Sequence, residues 1–314
     1  MTPNLLIGLR IMSTKIRLLA ISTVALVVSG CGGGGGSSSL TQITFSDVNS
    51  VTTPSQVNLE GISTDYNYQA SDSAVTSVTD NGIDTSASAA LTYRSDNTIR
   101  IATLNTDNSS ITINEDNGGQ IGNIGSDIVF GYDSAGEDFI LAANPLSGNL
   151  DWNYQTFGAW ETGRGTGSGT AGAISVGSAT NGSNIPTSSS ATYTGYYGGV
   201  FVDSVGADFI SKGSVTATAD FTNRSIAFQT SNDVYVSPLA STPTFISDSS
   251  QAMSGTLTYS SGTNDFSGTL TDGNNWSGAA NGKFYGPAAE EMGGVFSLNG
   301  GGVQRHGGAF GAKR

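Results

Sequence analysis

The chain has almost no cysteine or histidine: Cys31 and His306 stand alone in 314 residues. One cysteine excludes an internal disulfide framework, and one of each leaves too few ligands for a zinc site. A Ser-His-Asp triad would have to recruit His306, and no Gly-x-Ser-x-Gly elbow marks a nucleophile for it. Catalysis is therefore not expected. Charge is also scarce, at 12% of residues, and the basic side is the poorer one, with 12 Lys and Arg against 25 Asp and Glu. A surface with a net charge of −13 repels phosphate backbones, so nucleic acid is a poor partner. Helix formers are thin as well. Glycine supplies 44 residues, and Ser, Thr, Asn and Asp fill much of the rest. These residues disfavour long helices and suit short strands joined by polar turns, so the expected class is all-β.

One long apolar run exists, residues 18–28, and it is too short for an ordinary membrane span. It follows a basic start (Lys15, Arg17) and precedes small residues, the layout of a secretion leader over residues 1–30, with Met12 as the expected start. Val28-Ser29-Gly30-Cys31 resembles the bacterial lipobox, which implies lipidation of Cys31 and attachment to a membrane. Gly32 after the cysteine implies sorting to the outer membrane. Without the leader, 9 basic residues face 25 acidic ones, a net charge near −16, which suits solubility or a basic partner. Residues 32–39 are Gly and Ser only, a tether of roughly 15 Å average span.

From residue 40 to about 190 the pattern predicts a β-rich subdomain. Strands are expected over residues 99–104, 110–113, 127–132 and 138–143, separated by Asn-, Asp- and Gly-rich turns. Residues 152–161, "WNYQTFGAWE", alternate aromatics with polar or small residues, and the Gly/Ser/Thr-rich stretch 162–190 reads as a long loop or boundary. After residue 191 the alternation is cleaner. Val215, Ala217, Ala219 and Phe221 share one face, and Ile226 and Phe228 return on it. Leu257 and Tyr259 pair in the same way with Phe266 and Leu270. About eight strands, hairpin after hairpin, predict an up-and-down barrel.

The same segments carry a resemblance. "ATYTGYYGG" (191–199), "GSVTATADF" (213–221), "GKFYGPAAEEMGGVF" (282–296) and "GAFGAKR" (308–314) are similar to the β-barrel domain of transferrin-binding protein B and related bacterial surface lipoproteins. "YQTFGAWE" resembles their join between handle and barrel. The resemblance implies a handle over residues 40–190, linker included, followed by an eight-stranded antiparallel barrel over 191–314. It implies a structural barrel motif at Phe284, Tyr285, Gly286, Pro287, Glu291, Gly293, Gly294, Phe310 and Gly311. It also implies an outer-membrane lipoprotein that binds an iron-bearing protein, transferrin-like or a haem protein, for a TonB-dependent outer-membrane receptor. Export by a surface lipoprotein translocator is a further expectation. The alternative is an adhesion or immune-evasion lipoprotein of the factor H-binding type. The family has two-lobed members; here one "FYGP" segment and no internal repeat point to a single lobe.

Among individual residues, Trp152, Tyr154, Phe157 and Trp160 are the candidate ligand anchors, set against the reading that they fill a core between the subdomains. The opening of the 282–294 segment reads as a strand end, and residues 288–292 as one helical turn bracing an end of the barrel. Glu290 or Glu291 would cap a neighbouring backbone group there. Clustered oxygen ligands at 105–110, 114–119 and 263–268 lack the spacing of a calcium loop and read as hairpin turns. No metal site and no cofactor is expected; haem or iron would enter only as cargo. His306 is placed in a Gly-rich loop before the last strand, and one of Tyr196 and Tyr197 is expected in the core.

Overall fold

The computed structural model describes residues 40–71, 74–124, 128–144, 146, 150–236 and 245–314. Cys31, the leader and the tether lie outside the described residues. Two sheets account for the described strands. The first holds β1 (Thr41–Thr44), β2 (Ser55–Ser71), β3 (Ala74–Tyr93), β4 (Ile99–Asn105), β5 (Ser110–Asn114), β6 (Gln120–Ile124), β7 (Ile128–Tyr132), β8 (Phe139–Ala143), β9 (Gln155–Glu161) and β10 (Ser168–Gly177). Its order is β5-β4-β3-β2-β10-β9-β8-β7-β6, with β1 added in parallel beside β2.

The second sheet holds β11 (Ser190–Val202), β12 (Asp208–Asp220), β13 (Ser225–Val236), β14 (Ile246–Ser247), β15 (Met253–Tyr259), β16 (Asp265–Asp272), β17 (Ser277–Tyr285), β18 (Glu291–Gly301) and β19 (Gln304–Lys313). The short β14 hangs on β13. The other eight run antiparallel in sequence order, and pairing of β19 with β11 closes them into an up-and-down barrel. Period-2 patterning explains the barrel wall. Val215, Ala217, Ala219, Ile226, Phe228, Leu257, Phe266 and Leu270 all point into the core, as the sequence predicts. The threonines between them face out, and Thr192 and Thr218 lie directly opposite each other on β11 and β12.

The stretch 162–190 is not a loop. β10 occupies its middle and is a central strand, paired to β2 on one side and β9 on the other. Its pattern is hidden because Ala171, Ala173 and Ser175 are buried where larger apolar residues would normally mark a core strand. Close approach to its neighbours demands small residues: a Cβ on Gly172 would strike the Trp160 ring and the backbone of Thr64. The remainder of the stretch, residues 178–189, crosses to the barrel and folds over one of its ends. Thr180 donates to the Gly286 carbonyl at 2.6 Å, and Ile185 is buried in the barrel core.

The first sheet packs across the barrel wall. β2, β9 and β10 lie on β18 and β19, with Ile62, Phe157, Ala159 and Ala173 against Val295 and Ala309. This seam is where the 282–294 segment acts.

Candidate functional site

Two ends of the barrel differ in a way that locates a site. The first end is sealed. Residues 286–290 form a turn rather than the expected helical turn, and strand structure resumes at Glu291. Ala289, with φ +62°, is fully buried in the barrel core, and its carbonyl accepts from the Tyr193 hydroxyl at 2.6 Å. Gly286, at φ +87°, lies against the Tyr154 ring. Pro287 follows it in the turn. Phe284 lies in the core among Tyr193, Phe221, Tyr259 and Phe266.

The rest of the motif faces the first sheet. Tyr285 is fully buried with its hydroxyl 3.1 Å from Ser175 Oγ. Glu291 accepts from the backbone N–H groups of Asn153 (2.5 Å) and Tyr154 (3.1 Å), so the expected capping by a glutamate is present, and it joins the two sheets. Burial pushes the Glu291 carboxyl up to about 7, against the opposing pull of those two N–H donors. Gln155 Nε2 donates to the carbonyls of Met292 (2.8 Å) and Ala312 (3.2 Å). A Cβ on Gly293 would overlap the Gln155 amide oxygen, and one on Gly311 would press on the same atom, on Phe157 and on Trp152. Gly294 faces inward, where a Cβ would meet the Phe310 ring at 2.8 Å. Tyr285, Glu291, Gly293 and Gly311 each have a packing or hydrogen-bonding task at the seam, and Gly294 has one inside the barrel.

Three of the candidate anchors belong to the same construction and offer no exposed surface. Trp152 and Phe157 are buried in the seam with ring centroids 5.6 Å apart, and Trp160 is fully buried in the core of the first sheet. Tyr154 is half-buried over the sealed end. Phe157 and Trp160 lie on β9, whose two faces are both covered, and Trp152 and Tyr154 precede that strand. His306 also departs from expectation. It lies in β19, fully buried, with Nε2 2.8 Å from Ser211 Oγ and its ring edge-on to Tyr197, Phe201 and Phe296. Of the adjacent tyrosines, Tyr197 is in the core and Tyr196 is on the surface.

The opposite end presents three exposed apolar side chains. Val205 stands 73% exposed at the tip of the β11–β12 turn, and Phe245 and Ile246, each 49% exposed, precede β15 on the β13–β15 excursion. Lys212 Nζ lies 4.2 Å from the Phe245 ring centroid. Beneath them Phe201 stacks on Trp276 at 5.1 Å, and Phe209 meets Tyr235 edge-on at 5.0 Å. The turn is rigid: Asp203 Oδ1 accepts from the N–H groups of Val205 and Ala207, both at 2.9 Å. Val75 of the long β2–β3 hairpin donates to the Gly206 carbonyl at 2.9 Å, so the first sheet contributes to the same surface. Exposed apolar side chains on loops of a β scaffold have the character of a protein-binding surface. The sequence carries one signal for it, the apolar Val205 within the turn "DSVGAD".

A search of the curated proteins found no match. The family model for the C-lobe and N-lobe β-barrels of Tf-binding protein B matches residues 185–314. Among solved structures, a variant of transferrin-binding protein B from Haemophilus parasuis superposes with a TM-score of 0.45 at 15% identity, covering 80% of this chain and 45% of that one. The isotype 1 protein from serogroup B Neisseria meningitidis gives 0.38 at 14%, covering 74% and 52%. A protein described as a surface lipoprotein gives 0.42 at 14%, covering 81% and 98%. The chain thus spans about half the length of the first two. Residues 185–314, the segment that folds into the closed barrel, form a β-barrel domain of the Tf-binding protein B type.

Proposed function

We propose that this chain is an outer-membrane lipoprotein, anchored through Cys31, that captures an iron-bearing protein and presents it to a TonB-dependent receptor. The ligand is transferrin-like or a haem protein. The observation that carries this reading is the family match of the barrel. The surface around Val205, Phe245 and Ile246 supports it by offering apolar anchors on a rigid frame. The tether 32–39 would raise the local concentration of captured ligand beside the receptor.

The test is binding of the purified full chain in detergent to iron-loaded and iron-free transferrin, and to haemoglobin, side by side. Preference for one iron-bearing ligand is expected. Changing Val205, Phe245 and Ile246 to serine should then weaken binding about tenfold or more while circular dichroism stays unchanged. Absence of binding to all of these proteins overturns the iron-bearing ligand class. Binding that the triple variant leaves intact moves the capture surface elsewhere.

A further inference from the structure

β3 runs for 20 residues, and one flank of it is largely open. It pairs with β2 along its whole length, from Tyr93 opposite Ser55 to Ala74 opposite Ser71. On the other flank β4 covers it only from Ser88 to Tyr93. The uncovered part is held at two points. The Val75 N–H donates to the Gly206 carbonyl at 2.9 Å, and the Asp107 N–H donates to Asp84 Oδ2 at 2.8 Å. Between these ties, among the described residues, no backbone group pairs with residues 76–81 from the open flank. The register with β2 is regular from Ser77 to Asp80, with shifts on either side of that stretch. In an antiparallel strand paired on one flank, alternate residues turn both N–H and C=O outward, a template for a further strand. Residues 76–81 contain neither lysine nor proline, two residue types that blunt natural edges.

A groove runs between this edge and the barrel. Asp80, Gly82 and Ile83 of β3 line one side, and Ser277, Ala279 and Ser297 of β17 and β18 line the other, around about 360 Å³. That volume lies within the range of ligand clefts, about 300–1,000 Å³. The barrel side carries small uncharged residues, so an extended chain can lie close to it. Asp80 is the one charged residue lining the groove. Its carboxylate is fixed in place: Oδ1 accepts from the Gly82 N–H at 2.8 Å, and Oδ2 from the Ser297 hydroxyl at 3.2 Å. Among the described residues, no ion pair includes Asp80. The one basic side chain bonded to a lining residue is Arg305, which is buried and donates to Asn299 Oδ1 at 2.6 Å.

We propose that this edge and groove bind an extended, lysine- or arginine-bearing segment of a partner protein, added as a strand beside β3. Main-chain hydrogen bonds along residues 77–80 would supply the affinity, and a cation beside Asp80 the preference. A second copy of this chain fits the edge less well. Edge-to-edge pairing would bring together two molecules that each carry a net charge of −13, with an uncompensated Asp80 on both edges. The inference stands apart from the proposed capture of an iron-bearing protein, since Val205, Phe245 and Ile246 do not line the groove.

The experiment is hydrogen–deuterium exchange of the full chain in detergent, at physiological salt, with a probe peptide of about eight residues alternating threonine and lysine. The control peptide alternates threonine and glutamate. Exchange at residues 77–80 should slow about tenfold or more with the lysine peptide and stay unchanged with the glutamate one. Asp80→Asn keeps an acceptor for Gly82 and Ser297 and removes the charge. It should weaken binding of the lysine peptide about threefold to tenfold while exchange elsewhere in the chain is unaltered. No slowing with the lysine peptide at about 1 mM overturns the site. Equal slowing by both peptides, or by the lysine peptide on the native and Asp80→Asn chains alike, overturns the cationic class of ligand. Protection of the same residues that grows with protein concentration in the absence of peptide assigns the edge to a second copy and overturns the partner segment.

Discussion

His306 shows how a residue that invites a functional reading becomes a structural one through its surroundings. Its imidazole is fully buried and receives no acid partner; Ser211 meets one nitrogen, and Nδ1 has none. Burial lowers its pKa to about 4 from an ordinary value of 6.5. The unfolded chain therefore takes up this proton before the folded one does, and stability is lost as pH falls from about 6.5 towards 4, by about 3 kcal/mol in all. Glu161 and Glu291 work in the opposite sense. Burial raises both to about 7, outweighing Arg164 beside Glu161, so the folded state binds their protons first and loses stability as pH rises from about 4.5 to 7. These tendencies oppose each other in the native chain. In His306→Gln the histidine contribution is gone, and denaturant midpoints should climb as pH drops from 7 to 4.5 while the native curve stays flatter. Parallel curves for the two proteins would show that the imidazole titrates alike in the folded and unfolded chain.

At the scale of elements, the linker between the two sheets has more to do than connect them. Ile185 is buried in the barrel core, and Thr180 and Asn264 tie the segment across the sealed end, Asn264 Nδ2 donating to the Thr180 carbonyl at 2.8 Å. Ile185→Ala should cost about 2–4 kcal/mol, read from urea unfolding of the full chain, whereas a tether-like linker would tolerate the change within about 0.5 kcal/mol. That part of the chain was hard to read in advance, and the reason is physical. β10, with the long β2 and β3, buries small and polar residues: Ser63, Thr64 and Asp65 on β2, Ala171, Ala173 and Ser175 on β10. Register shifts near Gly61, Asp65 and Gln69 break the period-2 signal that a sequence shows for a regular strand. The barrel strands kept strict alternation and large inward side chains, so Val215 to Leu270 were legible. The candidate surface was legible only at Val205.

The whole molecule depends on the seam, and the seam explains why glycine is so frequent near the C-terminus. Gly293 and Gly311 leave space for the Gln155 side chain to reach the Met292 and Ala312 carbonyls, while Glu291 and Tyr285 reach back to Asn153, Tyr154 and Ser175. Val295, Ala309 and Ala173, all fully buried, fill the space between these polar links. If the barrel stood alone, this face would expose apolar side chains and strip the Glu291 carboxylate of its two donors. Each sheet thus completes the other's core, which argues for one cooperative unit despite two separate hydrogen-bonded sheets. Calorimetry should show a single transition whose calorimetric and van't Hoff enthalpies agree. Glu291→Ala, which leaves two partly buried N–H groups without their acceptor, should lower that whole transition by about 2–4 kcal/mol. Two resolved transitions, or a variant that shifts only part of one, would mean that the sheets fold independently and that the seam orients the barrel without stabilising it.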